Sequence, residues 1–457
     1  MKELKSKEMV STDLNIILPD IEKFIEEKNV GALLNIILDL HPADIEQILN
    51  RLKKEERLYL FSLLPDELAS EVLSELDAPV VDQVIEDIPE EKLIRLVDQM
   101  ESDDAADLVA ELPEHIAEGV LSKMEDEASN EVQELLHHEE DSAGGIMALE
   151  YIAMPSSATV NETIEKIREL RDEIENLYFI WVVDEQQRLV GMVDLADLVL
   201  AKGYTTLNEI MNVEIHAVRA NMDQEEVAAL FKKYDLISAP VVDESNKIIG
   251  RITVDDIVDV LEEEGSEDLA FMAGAPDEEI MEESAFILSR ARLPWLLVAF
   301  LGELLAAYIL SQFEVTLQQL AMIAFFIPII MAMGGSTGQQ ASVIVVRGLA
   351  MGDISIKDTS KRLFKEFRIS ILNSLFFSGL LFLIVYLWDG ILFAVILSVS
   401  LFVVINNAAI IGAIVPLTFK RLNIDPALAA APFISTFNDI LGILIYLTIT
   451  TLVLQLT

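Results

Sequence analysis

Cysteine is absent from all 457 residues, so disulfide bonds, thiolate metal sites and thiol catalysis are excluded. Basic residues are scarce, because 32 Lys and Arg stand against 78 Asp and Glu, for a net charge of −46. A surface of that charge repels phosphates, so we expect no nucleic acid partner and expect cations instead. The sequence also lacks a Walker A loop and a Gly-x-Ser-x-Gly turn, and we expect no enzymatic activity.

The charge is concentrated in one part of the chain. Residues 290–457 carry 10 basic and 8 acidic side chains, whereas residues 1–289 carry 22 and 70. The later part has five apolar runs of roughly 20 to 30 residues, each long enough to cross a bilayer as a helix. These runs are Leu293–Phe313, Leu317–Val346, Phe367–Trp388, Ile391–Leu417 and Ala427–Leu456. We therefore predict an acidic soluble half and a membrane domain of five transmembrane helices. The polar, acidic N-terminus predicts no cleavable signal peptide.

The loops between these runs differ in charge. Basic residues precede the first run and lie after the second and the fourth: Arg290, Arg292, Arg347, Lys357, Lys361, Arg362, Lys365, Arg368, Lys420 and Arg421. The opposite loops contain Glu314 and Asp389 and no base. Because cytoplasmic loops carry the Lys and Arg excess, we expect a multi-pass cell-membrane protein with a cytoplasmic N-terminus and the C-terminus outside.

Polar side chains inside the apolar runs are costly in lipid unless they face protein, water or an ion. Asp439 has Ser435, Thr436 and Asn438 close to it in sequence, and these oxygens suit a water-filled cation path. The alternative is an Asp that only holds helices together by a hydrogen bond. The same two readings apply to the other polar residues of the runs, among them Glu303, Asn406 and Asn407. The glycines from Gly334 onward predict either close helix packing or a helix break.

The first 136 residues contain a repeat. Pro42, Pro65, Pro89 and Pro113 are spaced 23, 24 and 24 residues apart, and acidic residues follow each within two positions. Proline and carboxylates both suit the first turn of a helix, so this period predicts stacked short helix pairs. Such a surface is either a partner-binding face or a plain scaffold. We expect about the first 15 residues to lack order, as chain termini often do.

Residues 137–264 predict two similar α/β units, each with a strand, a turn and a second strand before a helix. The paired segments are Tyr178–Val199 and Ile237–Val258, and both resemble CBS modules, whose tandem pairs act as ligand-responsive regulators. The resemblance implies an adenine nucleotide such as ATP at Asp197 and Asp256. The alternative is that both carboxylates only cap the following helices. Asp194 stands where the CBS pattern commonly has Ser or Thr.

Two acidic runs are candidates for divalent-cation sensing. They are Ser102–Asp107 and Asp255–Asp268, and hard cations such as Mg²⁺ prefer carboxylate oxygens. The alternative is a solvated acidic face. We expect a break from Gly265 to Gly274, and then a helix to Ser289 that connects this half to the first membrane span.

Three motifs give the whole chain a resemblance to the MgtE-type magnesium channel and transporter family: Glu139–Met147, Pro328–Ile354 and Asp425–Asp439. The resemblance implies a helical N domain (1–136), a tandem CBS pair (137–264), a connecting plug helix (265–289) and a five-helix membrane domain (290–457). Ser336 and Gln339 depart from the family motif, which commonly has Asn at both positions.

The family resemblance also implies a homodimer with the ion path on its two-fold axis, where two copies of Asp439 meet a largely hydrated Mg²⁺. It implies that Mg²⁺ is both permeant ion and effector, and closes the pore by binding acidic residues of the soluble half. The implied regulatory residues are Asp103, Asp107, Asp223, Glu225, Asp235, Asp256, Asp259, Glu264, Glu267 and Asp268.

Two other functions remain open from the sequence. A CBS-regulated carrier of another divalent cation or solute would be controlled mainly by nucleotide. An anion carrier should place Lys or Arg within its spans, and the five runs contain only Arg368, at the very start of the third. A divalent-sensing membrane receptor would move no ion. The polar side chains around Asp439 would then cost free energy in the membrane without a function to explain them.

Overall fold

The structure is a computed structural model that describes residues 14–456 apart from 171–175, 274–284, 351–353, 355–358, 423 and 427–430. The chain divides into two compact units, Met1–Val260 and Leu261–Thr457, and each is considered by itself. The expectation for the first residues of the chain lies largely outside the described part, as does much of the segment predicted as a plug helix.

The first unit begins with short helices. They are α1 (Leu14–Glu26), α2 (Val30–Ile37), α3 (Pro42–Arg51), α4 (Lys54–Ser62), α5 (Asp66–Ser74), α6 (Ala78–Ile85), α7 (Glu90–Val97), α8 (Ser102–Glu111), α9 (Glu114–Leu121) and α10 (Asp126–Leu135). Alternate helices pack together, α3 on α5, α5 on α7 and α8 on α10, so the structure is the stacked repeat that the proline period predicts. Pro42 lies in the first turn of α3, whereas Pro65, Pro89 and Pro113 are the residues just before α5, α7 and α9. Their ψ angles are extended rather than helical, so these three prolines are N-cap residues and not, as expected, residues of the first helical turn.

Two small mixed sheets follow. The first contains β1 (Ala153–Pro155), β2 (Phe179–Val183) and β3 (Leu189–Asp194), and the second contains β4 (Val218–Arg219), β5 (Ser238–Val242) and β6 (Ile248–Thr253). In each sheet the first strand is parallel to the second, and the second is antiparallel to the third. The helices of this region are α11 (Val160–Glu169), α12 (Leu195–Leu200), α13 (Leu207–Ile210), α14 (Gln224–Tyr234) and α15 (Val254–Ala273). Trp181 and Val183 of the first sheet are buried with Val242 and Ile248 of the second, so the two modules share a core.

The break that the sequence predicts at Gly265 is not there, because α15 continues through this residue to Ala273. A glycine inside a helix costs about 1 kcal/mol relative to alanine, and the flanking Glu, Leu and Ala residues favour the helix enough to offset it.

The second unit is helical throughout its described part. Its helices are α16 (Ala285–Ser311), α17 (Glu314–Gln319), α18 (Ala321–Ala324), α19 (Ile327–Ala350), α20 (Thr359–Asp389), α21 (Ile391–Arg421) and α22 (Ala431–Leu456). Five stretches are long and apolar enough to cross a membrane, as predicted: Leu288–Ser311, Ala321–Leu349, Thr359–Asp389, Ile391–Arg421 and Phe433–Gln455. Helix α19 is continuous, so its glycines do not break it.

Polar side chains join α20 to α21 inside the second unit. Ser370 donates a hydrogen bond to the Asn406 oxygen at 2.8 Å, and the Asn406 amide donates to Ser374 at 2.7 Å. All three side chains are buried, so their hydrogen bonds replace the water that a membrane interior does not provide. Asn406 therefore links two helices by hydrogen bonds, which is one of the two roles that the sequence left open for it.

Candidate cation sites

The first site lies where α16, α19 and α22 meet. Asp439 on α22 is half-buried, and its carboxyl interacts with that of Glu303 on α16. One turn earlier on α22, Ser435 accepts a hydrogen bond from the Gln339 side-chain amide of α19 at 3.1 Å. Three separate helices thus bring two carboxyls, a hydroxyl and an amide together.

Glycines bring these helices close. A Cβ atom added at Gly338 on α19 would overlap the Asn438 side chain, and one added at Gly302 on α16 would overlap Thr436. A Cβ at Gly412 on α21 would likewise overlap the Gly338 backbone. The structure therefore favours close packing as the role of Gly338. The polar residues of α22 reach the neighbouring helices because small residues face them.

Asn438 is the most enclosed member of this set. Its side chain is 2% exposed, and neither its amide nitrogen nor its oxygen has a hydrogen-bond partner among the described residues. A buried amide without partners is costly, so it is suited to bind water or a polar group brought to this place.

The second site is an acidic cluster in the first unit. Asp103, in the first turn of α8, is 8% exposed, and its electrostatic neighbours are Glu101, Asp104, Glu150 and Asp256. The carboxylate of Glu150 accepts hydrogen bonds from the backbone N–H and the hydroxyl of Ser102, at 3.0 and 2.8 Å. The structure thus brings the predicted Asp103 and Asp256 into one cluster, although 153 positions separate them in sequence.

One buried cation lies in this cluster. The Arg251 guanidinium, on β6, is 4% exposed and pairs with the Glu101 carboxylate at 3.3 Å. Its other terminal nitrogen donates to the backbone oxygen of Asn176 at 3.1 Å. The Arg251 backbone also exchanges two hydrogen bonds with Ala148, at 2.8 and 2.9 Å. Arg251 therefore contacts the stacked helices, the segment before β1 and the first module at once.

The electrostatics of the cluster favour binding of a cation or a proton. Burial raises the pKa of Glu101 to about 7, against the opposing effect of Arg251. Burial raises the pKa of Asp103 well above its usual range, and the Asp256 carboxylate raises it further. Burial also raises the pKa of Asp256, although hydrogen bonds from Thr253 oppose the shift. Each shift means that negative charge is costly here, so a bound positive charge stabilises the arrangement.

The other predicted residues occupy several places. Asp223 is the N-cap of α14 and accepts from the Glu225 backbone N–H at 2.9 Å, whereas Asp235 follows the other end of this helix. Asp107 is exposed on α8, and Asp259, Glu264 and Glu267 lie along α15. The Asp268 side chain lies outside the described part. Within that part, no three Asp, Glu or His side chains are arranged to hold one metal ion together. A hydrated Mg²⁺ needs only one or two carboxylates and is compatible with this geometry.

A cavity of about 240 Å³ lies in the cleft between the two modules. Phe179, Trp181 and Pro240 line it, together with His216, which stacks on Tyr234 with 3.8 Å between ring centroids. Asp194 and Asp235 also line it. Of the residues predicted to bind nucleotide, Asp197 is exposed on α12, and Asp256 accepts from the Thr253 backbone N–H at 2.7 Å, as a helix-capping carboxylate does.

Some members of these sites are not predicted from the sequence. Glu101 directly precedes the acidic run Ser102–Asp107 and could have been included with it. Glu150 and Arg251 show no local signal, because only the fold brings them to α8. Gln339 stands out in the sequence only as a departure from a family motif.

An acidic half joined to an apolar half of five candidate membrane helices, with carboxyls at helix junctions in both, is typical of a membrane transporter of cations. Family profiles agree: residues 40–141 match the MgtE intracellular N domain, 143–203 and 207–263 match CBS domains, and 327–449 match MgtE, described as a divalent cation transporter. The chain belongs to the MgtE family.

Similar proteins cover nearly the whole chain. The magnesium transporter MgtE of Thermus thermophilus is 37% identical over 452 residues, which is 95% of this chain and 98% of that protein. The magnesium transporter MgtE of Bacillus subtilis is 33% identical over 91% of this chain and 93% of that protein. A crystal structure of the cytosolic domain of the Mg²⁺ channel MgtE in complex with ATP covers 53% of this chain and 99% of its own, at 34% identity and a TM-score of 0.51.

Proposed function

We propose that this protein carries Mg²⁺ across the cell membrane without catalysing a chemical step, and that Asp439 lies in the ion path. The observation that carries the proposal is the meeting of Asp439, Glu303, Ser435 and Gln339 from three helices. Carboxylate, hydroxyl and amide oxygens are the ligands that Mg²⁺ and its water shell prefer. The relatives named magnesium transporters support the choice of ion.

The path is completed by a second copy of the chain. Ser336, Gln339 and Gln340 are exposed on α19, a largely apolar helix, and Gln339 contacts the helix that carries Asp439. In a homodimer with these faces on the two-fold axis, two Asp439 carboxylates would flank one hydrated ion, together with Ser435, Thr436 and Asn438. The basic loops support a cytoplasmic acidic half and a C-terminus outside.

Transport is tested with the purified protein in liposomes that contain a Mg²⁺-sensitive dye. We expect Mg²⁺ uptake by wild type and its loss in Asp439→Ala, while the dimer stays folded by size-exclusion chromatography. Glu314→Ala is the matched control, because Glu314 is an exposed carboxylate at the start of α17. Uptake in Asp439→Ala equal to wild type would remove Asp439 from the path, and no uptake by folded wild type would favour a receptor.

Mg²⁺ also closes the path by binding to the acidic half. The carboxylates of Asp103, Glu101 and Asp256 repel one another when divalent ions are scarce, and a bound Mg²⁺ removes that repulsion and draws the N domain onto the second CBS module. The effect can be no larger than the difference in Mg²⁺ affinity between the closed and open states. The raised pKa values of these groups support the proposal: burial is the main cause, and neighbouring carboxylates add to it, so negative charge is costly in this cluster.

The remaining acidic residues are proposed as additional regulatory ligands that act between copies or toward the membrane domain. They are Asp107, Asp223, Glu225, Asp235, Asp259, Glu264, Glu267 and Asp268.

Closure is tested by neutralising the cluster. Asp103→Asn with Asp256→Asn is expected to leave Mg²⁺ uptake active at Mg²⁺ concentrations that close wild type. Glu118→Gln, an exposed carboxylate on α9, is expected to close like wild type. If the cluster variant still closes at the wild-type Mg²⁺ concentration, the sensor lies elsewhere.

An adenine nucleotide at the CBS pair is a further part of the proposal, and the ATP-bound relative supports it. We expect the nucleotide to bind in the cavity between the two modules, because aromatic side chains line it. Asp197 and Asp256 remain candidates for contacts with the ribose. The described lining includes two carboxylates and neither Lys nor Arg, so we expect Mg²⁺-bound ATP to bind better than free ATP. Calorimetry with ATP, with and without Mg²⁺, tests this, and Asp194→Asn should reduce the difference. Tighter binding of free ATP would contradict it.

A further inference from the structure

We propose that Arg251 is a positioning residue. Its buried positive charge, like a bound Mg²⁺ ion, helps to hold the N domain on the second CBS module. The inference rests on the proposed closure by Mg²⁺. It adds a group that sets the Mg²⁺ concentration at which closure occurs.

The contacts of Arg251 support this role. Its guanidinium is almost fully buried, pairs with Glu101 at 3.3 Å and donates to the Asn176 backbone oxygen at 3.1 Å. Glu101 is the residue just before α8, the helix that carries Asp103. Through this single pair, β6 of the second CBS module is tied directly to the acidic end of an N-domain helix.

A second line of contacts joins the same elements. The Arg251 backbone pairs with Ala148, and the neighbouring Leu149 donates its N–H to the Ser102 hydroxyl at 2.8 Å. The Glu150 carboxylate accepts the two hydrogen bonds that Ser102 donates, from its backbone N–H and its hydroxyl. These contacts hold the Arg251 backbone in place. The positive charge of its side chain therefore stays at a fixed position in the cluster, which the charge of a mobile surface side chain would not.

The charge balance explains why a fixed cation matters here. Glu101, Asp103, Asp104, Glu150 and Asp256 interact with one another, and Arg251 is the cation that acts on both Glu101 and Asp256. Removing one partner of a buried ion pair leaves an uncompensated charge, which is strongly unfavourable. Without Arg251, only bound ions can balance the charge of these carboxylates. More Mg²⁺ is then required.

The test measures docking in the full-length protein. Because the chain has no cysteine, Glu127→Cys on α10 and Glu244→Cys after β5 can be labelled, and energy transfer between the dyes is followed against Mg²⁺. Arg251→Gln is expected to raise the Mg²⁺ concentration for half-maximal docking by about tenfold, and Arg251→Lys by less than about threefold, since it keeps the charge.

A charge rescue separates this role from simple packing. Glu101→Gln combined with Arg251→Gln removes one charge of each sign and is expected to return the midpoint toward wild type. A double variant no better than Arg251→Gln, or equal shifts in Arg251→Gln and Arg251→Lys, would overturn the proposal. If Arg251→Gln does not fold, Glu101→Gln alone decides: it breaks the same pair and leaves Arg251 unpaired, so we expect a higher midpoint, and an unchanged or lower one overturns it. A wild type that ignores Mg²⁺ would instead refute closure itself, and with it this inference.

Discussion

The carboxyls of Glu303 and Asp439 interact at the junction of α16 and α22, but the two residues are not equivalent. Asp439 is half-buried, whereas Glu303 is exposed. We expect Glu303→Gln to lower Mg²⁺ uptake by about tenfold, or about 1.4 kcal/mol, because it removes one attracting charge and keeps the size of the side chain. Asp439→Asn should abolish uptake. The liposome assay ranks the two, and an equal loss in both would contradict separate roles.

Gly338 offers the sharpest packing test. A side chain there would overlap Asn438, whereas one at Gly335 on the same helix meets no atom within 4 Å. We expect Gly338→Ala to destabilise the protein by about 1–3 kcal/mol through overpacking between α19 and α22. Gly335→Ala should behave as wild type in stability. Thermal unfolding in detergent measures both, and the same melting temperature in the two variants would show that α19 and α22 can separate without cost.

At the scale of elements, the buried hydrogen bonds of Ser370, Ser374 and Asn406 hold α20 against α21. Asn406→Ala should reduce stability by roughly 0.6 to 1.7 kcal/mol, the range for hydrogen bonds between membrane helices. Asn407→Ala, at the half-buried neighbouring position, is the matched control and should cost less. Denaturant titration of both variants gives the difference, and a larger loss for Asn407→Ala would place the important contact elsewhere.

The sequence predicts elements well where the signal is local. Five apolar runs, a proline every 24 residues or so and two similar α/β segments require only nearby residues, and the structure confirms each of them. The prediction of a break at Gly265 is wrong, because neighbours that favour a helix outweigh the helix-destabilising effect of one glycine. The pairs Arg251–Glu101 and Asp439–Glu303 join residues more than 130 positions apart, so only the fold can bring them together. Residue types therefore predict candidate ligands, but not the residues that surround them.

At the scale of the whole molecule, acidity should substitute for Mg²⁺ in the soluble half. The Glu101 pKa rises from its ordinary 4.5 to about 7 in the folded protein, and that of Asp103 rises as well. Between these values the folded state binds more protons than the unfolded state, so stability increases as the pH falls and is lost as it rises through about 7. In EDTA, we expect α8 amides to exchange more slowly at pH 6 than at pH 8 after correction for intrinsic rates. Equal or faster exchange at pH 6 would contradict the repulsion on which closure depends.

In the proposed function, Mg²⁺ is both the ion transported and the signal that stops its transport. A planar bilayer that contains the purified protein tests both parts at once, because the Mg²⁺ concentration on each face can be changed separately. We predict that Mg²⁺ added to the face of the acidic half lowers the current, whereas Mg²⁺ added to the opposite face increases it. A Mg²⁺ current that responds equally to the two faces would contradict regulation by the acidic half.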